Sequence, residues 1–193
     1  MSDRKLLWLD IETTGLVPHD GRILEVGMIV TNANLEPIDR LSVVISRSVP
    51  IDRVRSLCDT YVLDMHTKSG LFDAVAQSTV DEDEAEELLI SFVNKYFTDP
   101  KNKPELHGNT VHFDKKWLEL WMPDLSALFN YRIVDVSTIK IMMRNYQPAL
   151  LARMQDTLKM MSGSSVAHRA LDDLRYSIKE YAMYLRELKI NID

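Results

Sequence analysis

Two carboxylates, Asp10 and Glu12, interrupt an apolar segment near the start of the chain. Residues 6–16 read LLWLDIETTGL, a composition typical of a buried strand. Because alternate residues of a strand point to the same face, the two carboxylates are expected to lie side by side. Neighbouring buried carboxylates repel each other unless a cation compensates them, and two divalent cations promote phosphodiester cleavage by stabilising the attacking and leaving oxygens. The alternative is a strand end exposed to solvent.

Two further aspartates, Asp114 and Asp173, stand where loops are expected to meet helices. Asp114 follows Gly108 and Asn109 and begins a helix, whereas Asp173 lies in the first turns of the last helix. An aspartate near a helix start is more often a cap or a partner of the helix dipole, so neither position is strong evidence alone. Asp172 competes as a metal ligand, because helical angle barely separates it from Asp173.

His168 precedes Asp173 by five residues and follows a Ser/Gly stretch at 162–165, which predicts a mobile segment. A lone histidine is more often structural or exposed than catalytic. A histidine beside a metal-ligating aspartate, on a segment that can move, could instead accept a proton from water near neutral pH. His168 is therefore a candidate general base.

Composition indicates one domain, residues 1–193, that is large enough for a hydrophobic core. No apolar run approaches the length of a membrane span. The net charge of −6 disfavours a protein that coats long nucleic acid, but it allows an enzyme that uses metal ions on a short piece. Residues 1–5 carry no apolar signal region and the single cysteine, Cys58, suits a reducing compartment, so we expect a cytoplasmic protein, with an organelle as the alternative.

The apolar and turn residues predict strands first and alternating helices and strands afterwards. The predicted strands are 6–10, 23–31 and 41–46, as an antiparallel meander, followed by 105–109 and 131–136. The predicted helices are 81–97, 113–121, 137–146 and 169–188, with Ser137 as the cap of the third and Pro148 beyond its end. This order predicts an α/β domain around a mixed central sheet flanked by helices.

The acidic residues form an ordered set when taken together. Asp-x-Glu-Thr-x-Gly at 10–15, an Asp after Gly-Asn, and His-x-x-x-x-Asp near the end resemble the DEDDh group of 3′-to-5′ exonucleases, which have the ribonuclease-H-like fold. Within this group, the closest resemblance is to the branch that degrades very short RNA. The most diagnostic block is YRIVDVST at 131–138, and the similarity covers about residues 6–187. The segments 142–146 and 150–165 depart from it.

The resemblance implies a site for two Mg²⁺ or Mn²⁺ ions. The implied metal ligands, which are also catalytic residues, are Asp10, Glu12, Asp114 and Asp173. Asp173 is thereby selected over Asp172, and His168 is implied as the general base. The resemblance also implies a homodimer that degrades short RNA oligonucleotides, chiefly dinucleotides, to mononucleotides.

Six substrate-binding residues are implied in the same way. Leu16 and Tyr61 would enclose the 5′ base, with Tyr61 standing where the family commonly has Trp. The terminal phosphate would be bound by Thr110, Arg132 and Ser137, with Thr110 standing where the family usually has Ser. Arg132 and its neighbour Tyr131 are expected to come from the partner subunit.

Two other functions use the same residues differently. One is a DEDDh exonuclease that proofreads DNA or trims longer RNA, and the other is a binding module that has lost catalysis. The 131–138 block and the net charge of −6 favour short RNA, because a closed phosphate site would block longer chains. Every matching catalytic position is present, which disfavours the binding module.

Overall fold

Five strands form one mixed sheet in the order β3-β2-β1-β4-β5 in the computed structural model, which describes residues 4–45, 50–162 and 168–189. The strands are β1 (Lys5–Thr13), β2 (Ile23–Asn32), β3 (Pro37–Val44), β4 (Leu106–Gly108) and β5 (Ile133–Asp135). The first three pair as an antiparallel meander, whereas β4 is parallel to β1 and β5 is parallel to β4. The predicted mixed sheet is confirmed.

Helices cover the sheet and account for most of the remaining described chain. In chain order they are α1 (Ile51–Arg55), α2 (Thr60–Lys68), α3 (Leu71–Gln77), α4 (Glu82–Tyr96), α5 (Val111–Trp121), α6 (Pro123–Ser126), α7 (Val136–Tyr146), α8 (Pro148–Ser162) and α9 (Ala170–Glu187). Acidic residues at 81–84 mark the start of α4, where Asp81 is the N-cap and accepts a hydrogen bond from the Glu84 N–H at 2.9 Å.

The structure differs from the sequence prediction at the start of α7 and in the segment between α7 and α9. Ser137 is not the cap of α7, because Asp135 is the N-cap and its carboxylate accepts the Ser137 N–H at 3.0 Å. No element is predicted between Pro148 and Arg169, but α8 occupies residues 148–162. Pro148 ends α7 and also opens α8, because proline lacks only an N–H that the first turn of a helix leaves unpaired anyway.

Both faces of β1 are buried, which explains its nearly continuous apolar sequence. Leu7 and Leu9 belong to the core that includes residues of α4 and α5, whereas Leu6 and Trp8 belong to the core that includes residues of α7, α8 and α9. Because side chains alternate along a strand, Asp10 and Glu12 continue the face of Leu6 and Trp8, the face that α9 covers.

The start of α9 lies against β2 at Gly27. A Cβ on Gly27 would come within 2.7 Å of the Ala170 Cβ and 3.0 Å of the Ala170 carbonyl carbon, so a larger residue would push the helix away. Gly27 is the register partner of Asp10. The glycine therefore allows the first turn of α9 to approach the strand position beside Asp10.

Three further predictions concern membrane spans, the number of domains and the Ser/Gly stretch. None of the helices in the described ranges is both long enough and apolar enough to cross a membrane. The assignment of residues 1–193 to one domain stays a prediction. The Ser/Gly stretch predicted as mobile lies mostly outside the described residues, because 163–167 are not among them.

Candidate active site

Three carboxylates converge where β1 meets α9. One oxygen from each of Asp10, Glu12 and Asp173 lies within 4.8 Å of the others, and we call these three residues the acidic cluster. Strand β1 supplies Asp10 and Glu12, and the first turn of α9 supplies Asp173. Carboxylate oxygens are the ligands that hard divalent cations prefer, so the donor set fits such an ion.

Asp114 lies beside the acidic cluster but outside the three-oxygen group. It is buried in the first turn of α5, with 4% of its surface exposed. Its Oδ1 accepts the Ile11 N–H at 2.9 Å. Because Ile11 stands between Asp10 and Glu12 on β1, this hydrogen bond fixes Asp114 against the strand that carries two of the other carboxylates.

The carboxylates of β1 resist ionisation in this arrangement. Burial, followed by the charges of Asp114 and Glu12, raises the pKa of Asp10 well above its usual value. Burial, followed by the charges of Asp173 and Glu25, raises the pKa of Glu12 to about 9, although Arg169 opposes the rise. A cation bound here would favour the ionised forms of both groups.

The other two aspartates are shifted in the same direction. Burial raises the pKa of Asp114 to about 7, opposed by the hydrogen bond from Ile11. Burial also raises the pKa of Asp173 to about 6, opposed by the nearby His168. Four acids that cannot all ionise readily at neutral pH form a site whose charge requires compensation, which is consistent with the use of divalent metal.

His168 lies two residues before α9, separated from it by Arg169, and is partly exposed. Its backbone has a φ of 43°, in the left-handed region that is uncommon for residues other than glycine.

Asp172 is paired with Arg175, whereas Asp173 belongs to the acidic cluster. The fold therefore separates the two adjacent aspartates that the residue pattern leaves as alternatives.

His66 is a neighbour of the acidic cluster to which the sequence assigns no role. It is fully buried, and its Nε2 donates a hydrogen bond to the Thr13 carbonyl at 2.8 Å. Its Nδ1 lies 3.9 Å from Glu12 Oε2 and has no hydrogen-bond partner among the described residues. Burial lowers the pKa of His66, which favours the neutral form of the ring.

The residues expected to contact a base are exposed. Leu16 and Tyr61 are 77% and 71% exposed, which is unusual for large apolar side chains and leaves both available to a ligand. Tyr131 is 75% exposed, and the guanidinium carbon of Arg132 lies 4.5 Å from the centre of its ring. Tyr131 and Arg132 therefore present a cation and an aromatic ring together at the surface of the described chain.

The remaining expected phosphate contacts meet at Asp135. The Thr110 N–H and the Ser137 N–H both donate to Asp135 Oδ1, at 2.8 and 3.0 Å. The Ser137 hydroxyl donates to the same oxygen at 2.6 Å. The structure thus brings Thr110 and Ser137 together through a carboxylate that the sequence analysis does not single out.

Glu25 and Arg169 are also absent from the sequence-predicted site. Glu25 is buried on β2 opposite Glu12, and Arg169 binds it through two hydrogen bonds of 2.8 and 3.0 Å. The Ser42 hydroxyl also donates to Glu25, at 2.6 Å. The signal in the sequence is that Glu25 is the one charged residue of strand β2 and stands among apolar residues.

Solved structures share this fold. Exonuclease I from Methylocaldum szegediense aligns with a TM-score of 0.66 at 18% identity, over 97% of this chain and 41% of its own. A second exonuclease I structure aligns with a TM-score of 0.65 at 15% identity, over 94% of this chain. The chain spans 41% of the length of each, and the likeness identifies its fold as ribonuclease-H-like. The class is thus a ribonuclease-H-like domain with a carboxylate site.

Sequence relatives specify the family. The RNase_T family model, described as exonuclease, matches residues 7–181. The oligoribonuclease of Photorhabdus laumondii is 38% identical over 183 residues, which cover 95% of this chain and 94% of that protein. The oligoribonuclease of Halorhodospira halophila is also 38% identical, over 96% of this chain and 95% of its own. The chain therefore belongs to the RNase_T exonuclease family and, within it, to the oligoribonucleases.

Proposed function

We propose that this protein is a 3′-to-5′ exoribonuclease, a single domain over residues 1–193, that degrades very short RNA, chiefly dinucleotides, to mononucleotides. The observation that carries the proposal is the acidic cluster of Asp10, Glu12 and Asp173, with Asp114 beside it. The family and the names of the similar proteins support RNA as the substrate. The 131–138 block and the net charge of −6 support a short one.

The metal part of the proposal is a pair of Mg²⁺ or Mn²⁺ ions. Their ligands would be Asp10, Glu12, Asp114 and Asp173. When bound, the ions would supply positive charge to the attacking and leaving oxygens of the scissile phosphate. The raised pKa values of these carboxylates support the assignment, because the site favours a cation over four free negative charges.

His168 is proposed as the general base. It precedes the helix that carries Asp173, it opposes the rise in the pKa of Asp173, and it is partly exposed to solvent. The imidazole would accept the proton of the attacking water, as a general base does. His66 is a poorer candidate, because its Nε2 is already committed to the Thr13 carbonyl in a fully buried position.

The substrate would be bound at both ends. Leu16 and Tyr61 would stack on the 5′ base, a contact worth about 1–3 kcal/mol per base with an aromatic residue. The terminal phosphate would be bound by Thr110, Arg132 and Ser137. Arg132 can make two parallel hydrogen bonds to a phosphate, and its guanidinium lies against the Tyr131 ring.

A homodimer is proposed to complete the site. Tyr131 and Arg132 are strongly exposed in the described chain, so they are free to reach a second subunit. In this arrangement, the partner subunit's Arg132 would bind the terminal phosphate and close the site to longer RNA.

The proposed location is the cytoplasm, whose reducing conditions suit a chain with one cysteine.

A length series tests the proposal. Purified protein with Mg²⁺ is incubated with labelled RNAs of about two to ten nucleotides, and initial rates are compared. We expect dinucleotides to be cleaved fastest, because a closed site gains nothing from additional phosphates. A matched DNA dinucleotide tests sugar preference, and excess EDTA should stop the reaction.

Two outcomes would contradict the proposal. A rate that rises with length would favour a general exonuclease with an open groove. Metal binding in calorimetry without cleavage of any length would favour a binding module. The Asp10→Asn variant is the matched control, because it removes one ligand charge without changing the size of the side chain.

A further inference from the structure

Asp135 is the meeting point of four hydrogen bonds. Its side chain is 9% exposed and stands at the N-cap of α7. Oδ1 accepts the Thr110 N–H, the Ser137 N–H and the Ser137 hydroxyl, while Oδ2 lies 3.1 Å from His112 Nδ1. Burial opposes ionisation, but these hydrogen bonds hold the pKa of Asp135 below its usual range. The carboxylate is therefore an anion whose charge is satisfied locally.

The hydrogen bonds join the ends of two neighbouring strands. Gly108, the last residue of β4, is the register partner of Asp135, the last residue of β5. Thr110 follows β4 with a φ of 59°, a left-handed conformation that a threonine adopts only when its surroundings impose it. The hydrogen bond from the Thr110 N–H to Asp135 supplies that constraint, so Asp135 determines where the Thr110 hydroxyl is presented.

We infer that Asp135 is a positioning residue for the terminal phosphate of the substrate, holding Thr110 and Ser137 together so that both hydroxyls face one phosphate group. The inference rests on the proposed function and deepens it. Asp135 does not itself contact the phosphate, because two anions repel each other. Its contribution is to reduce the freedom that Thr110 and Ser137 would otherwise lose on binding.

Ser137 has a second relationship with Asp135 that affects binding. A hydroxyl has one hydrogen, and in this structure Ser137 donates it to Asp135. To donate a hydrogen bond to a phosphate oxygen, the Ser137 hydroxyl must therefore rotate and give up its hydrogen bond to Asp135. The N–H groups of Ser137 and Thr110 still donate to Asp135 during this exchange, so both residues remain in place while one hydroxyl rotates.

The experiment compares two substrates that differ only in the terminal phosphate. The kcat/KM is measured for the adenylyl dinucleotide with a 5′-phosphate and without it, using the wild type, Asp135→Ala and Asp135→Asn. We expect the wild type to prefer the phosphorylated dinucleotide. Asp135→Ala should reduce this preference roughly tenfold or more, mainly through KM, a magnitude typical of lost hydrogen bonds to charged groups.

Asp135→Asn distinguishes a positioning role from a general effect on stability. It also replaces Asp135→Ala as the test if the alanine variant folds poorly. Asparagine keeps one oxygen that can accept the N–H groups of Thr110 and Ser137, so it should retain more of the preference than alanine. Asp81→Ala is the matched control, because Asp81 caps α4 in the same manner on a helix without site residues. It should lower the melting temperature but leave the ratio of the two substrates unchanged.

The outcomes separate this inference from the proposed function. If Asp135→Ala lowers kcat/KM equally for both substrates, Asp135 is only a structural residue and the inference is wrong, while the exoribonuclease stands. A wild type that cleaves both dinucleotides equally well would also overturn the inference alone. A wild type that cleaves neither would overturn the proposed function, and the inference with it.

Discussion

Arg169 binds Glu25 through two hydrogen bonds, from Nε to Oε2 at 2.8 Å and from Nη2 to Oε1 at 3.0 Å. Glu25 is 2% exposed and lies opposite Glu12 in the β1–β2 pairing. Arg169 is the N-cap residue of α9, between His168 and the helix that carries Asp173. One ion pair therefore neutralises a buried carboxylate beside the acidic cluster and attaches the start of α9 to the sheet.

Loss of this ion pair should destabilise the protein. Arg169→Ala should lower the free energy of unfolding by roughly 2–3 kcal/mol, below the range for fully buried pairs because the arginine is partly exposed. Arg169→Lys should recover only part of the loss, because lysine cannot make two parallel hydrogen bonds. Urea unfolding of the metal-free protein measures both. Arg175→Ala is the control, since its exposed pair with Asp172 should contribute less than about 1 kcal/mol.

Asp10→Asn should abolish turnover without destabilising the metal-free protein. The variant removes a proposed metal ligand, and it also removes a carboxylate whose ionisation is opposed by burial and by neighbouring charges. Activity on a dinucleotide and the melting temperature in EDTA are the two measurements. Full activity of the wild type in excess EDTA, or of the variant in Mg²⁺, would contradict the metal assignment.

The stability of the metal-free protein should fall as the pH rises from about 5 to about 9. The pKa of Glu12 is raised from 4.5 to about 9 and that of Asp114 from 3.8 to about 7. Between these values, the folded chain retains protons that the unfolded chain has released, so the free energy of unfolding decreases with pH. Urea unfolding in EDTA at several pH values measures the slope.

Mg²⁺ should reduce this dependence on pH, because a bound cation favours the ionised carboxylates. Glu12→Gln should also reduce the dependence of the free energy of unfolding on pH in EDTA, since the variant lacks the carboxylate with the higher pKa of the two. A metal-free wild type that is equally stable at about pH 5 and about pH 9 would show that the carboxylates are not perturbed as described.

His168→Ala should lower turnover by about 10²–10⁴-fold while metal binding persists, as expected for the loss of a general base. Single-turnover kinetics on a dinucleotide and calorimetric titration with Mg²⁺ measure the two properties separately. His66 is not a neutral control, because it is buried against Thr13 and lies near Glu12. His19 is exposed in the turn after β1, so His19→Ala is the better comparison. Near wild-type turnover in His168→Ala would exclude the assigned role.

Arg132→Ala should reduce cleavage of dinucleotides much more than cleavage of longer RNA, which would flatten the length profile. The reason is that only a substrate ending inside the site places its terminal phosphate against the guanidinium. Arg132→Lys should retain little more dinucleotide cleavage than Arg132→Ala, since lysine cannot bind a phosphate through two parallel hydrogen bonds. Kinetics on the length series measure the loss at each RNA length, and light scattering measures the mass of the protein to determine whether it is a dimer. A fully active monomer, or equal losses at all lengths, would favour a general exonuclease.

Local patterns in the sequence were sufficient for the elements that carry the acidic cluster. The apolar run around Asp10 predicts β1, and the helical spacing of apolar residues predicts α9. Both patterns arise within one element, so they need no knowledge of its neighbours. Helix α8 is missed for a different reason, because Pro148 predicts the end of one helix although proline is also favoured at the start of the next.

The sequence by itself determined which carboxylates are present and that Asp10 and Glu12 share a face, because a strand has a period of two. The spacing of residues leaves Asp172 and Asp173 as alternatives and the family resemblance favours Asp173, but the physical reason lies in the tertiary structure. Asp173 joins the two carboxylates while Asp172 pairs with Arg175, because of how α9 docks at Gly27. Only the tertiary structure decided the pairing of Arg169 with Glu25, which are 144 residues apart. Contacts between residues so distant in the chain are determined by the packing of helices on the sheet, which no local pattern encodes.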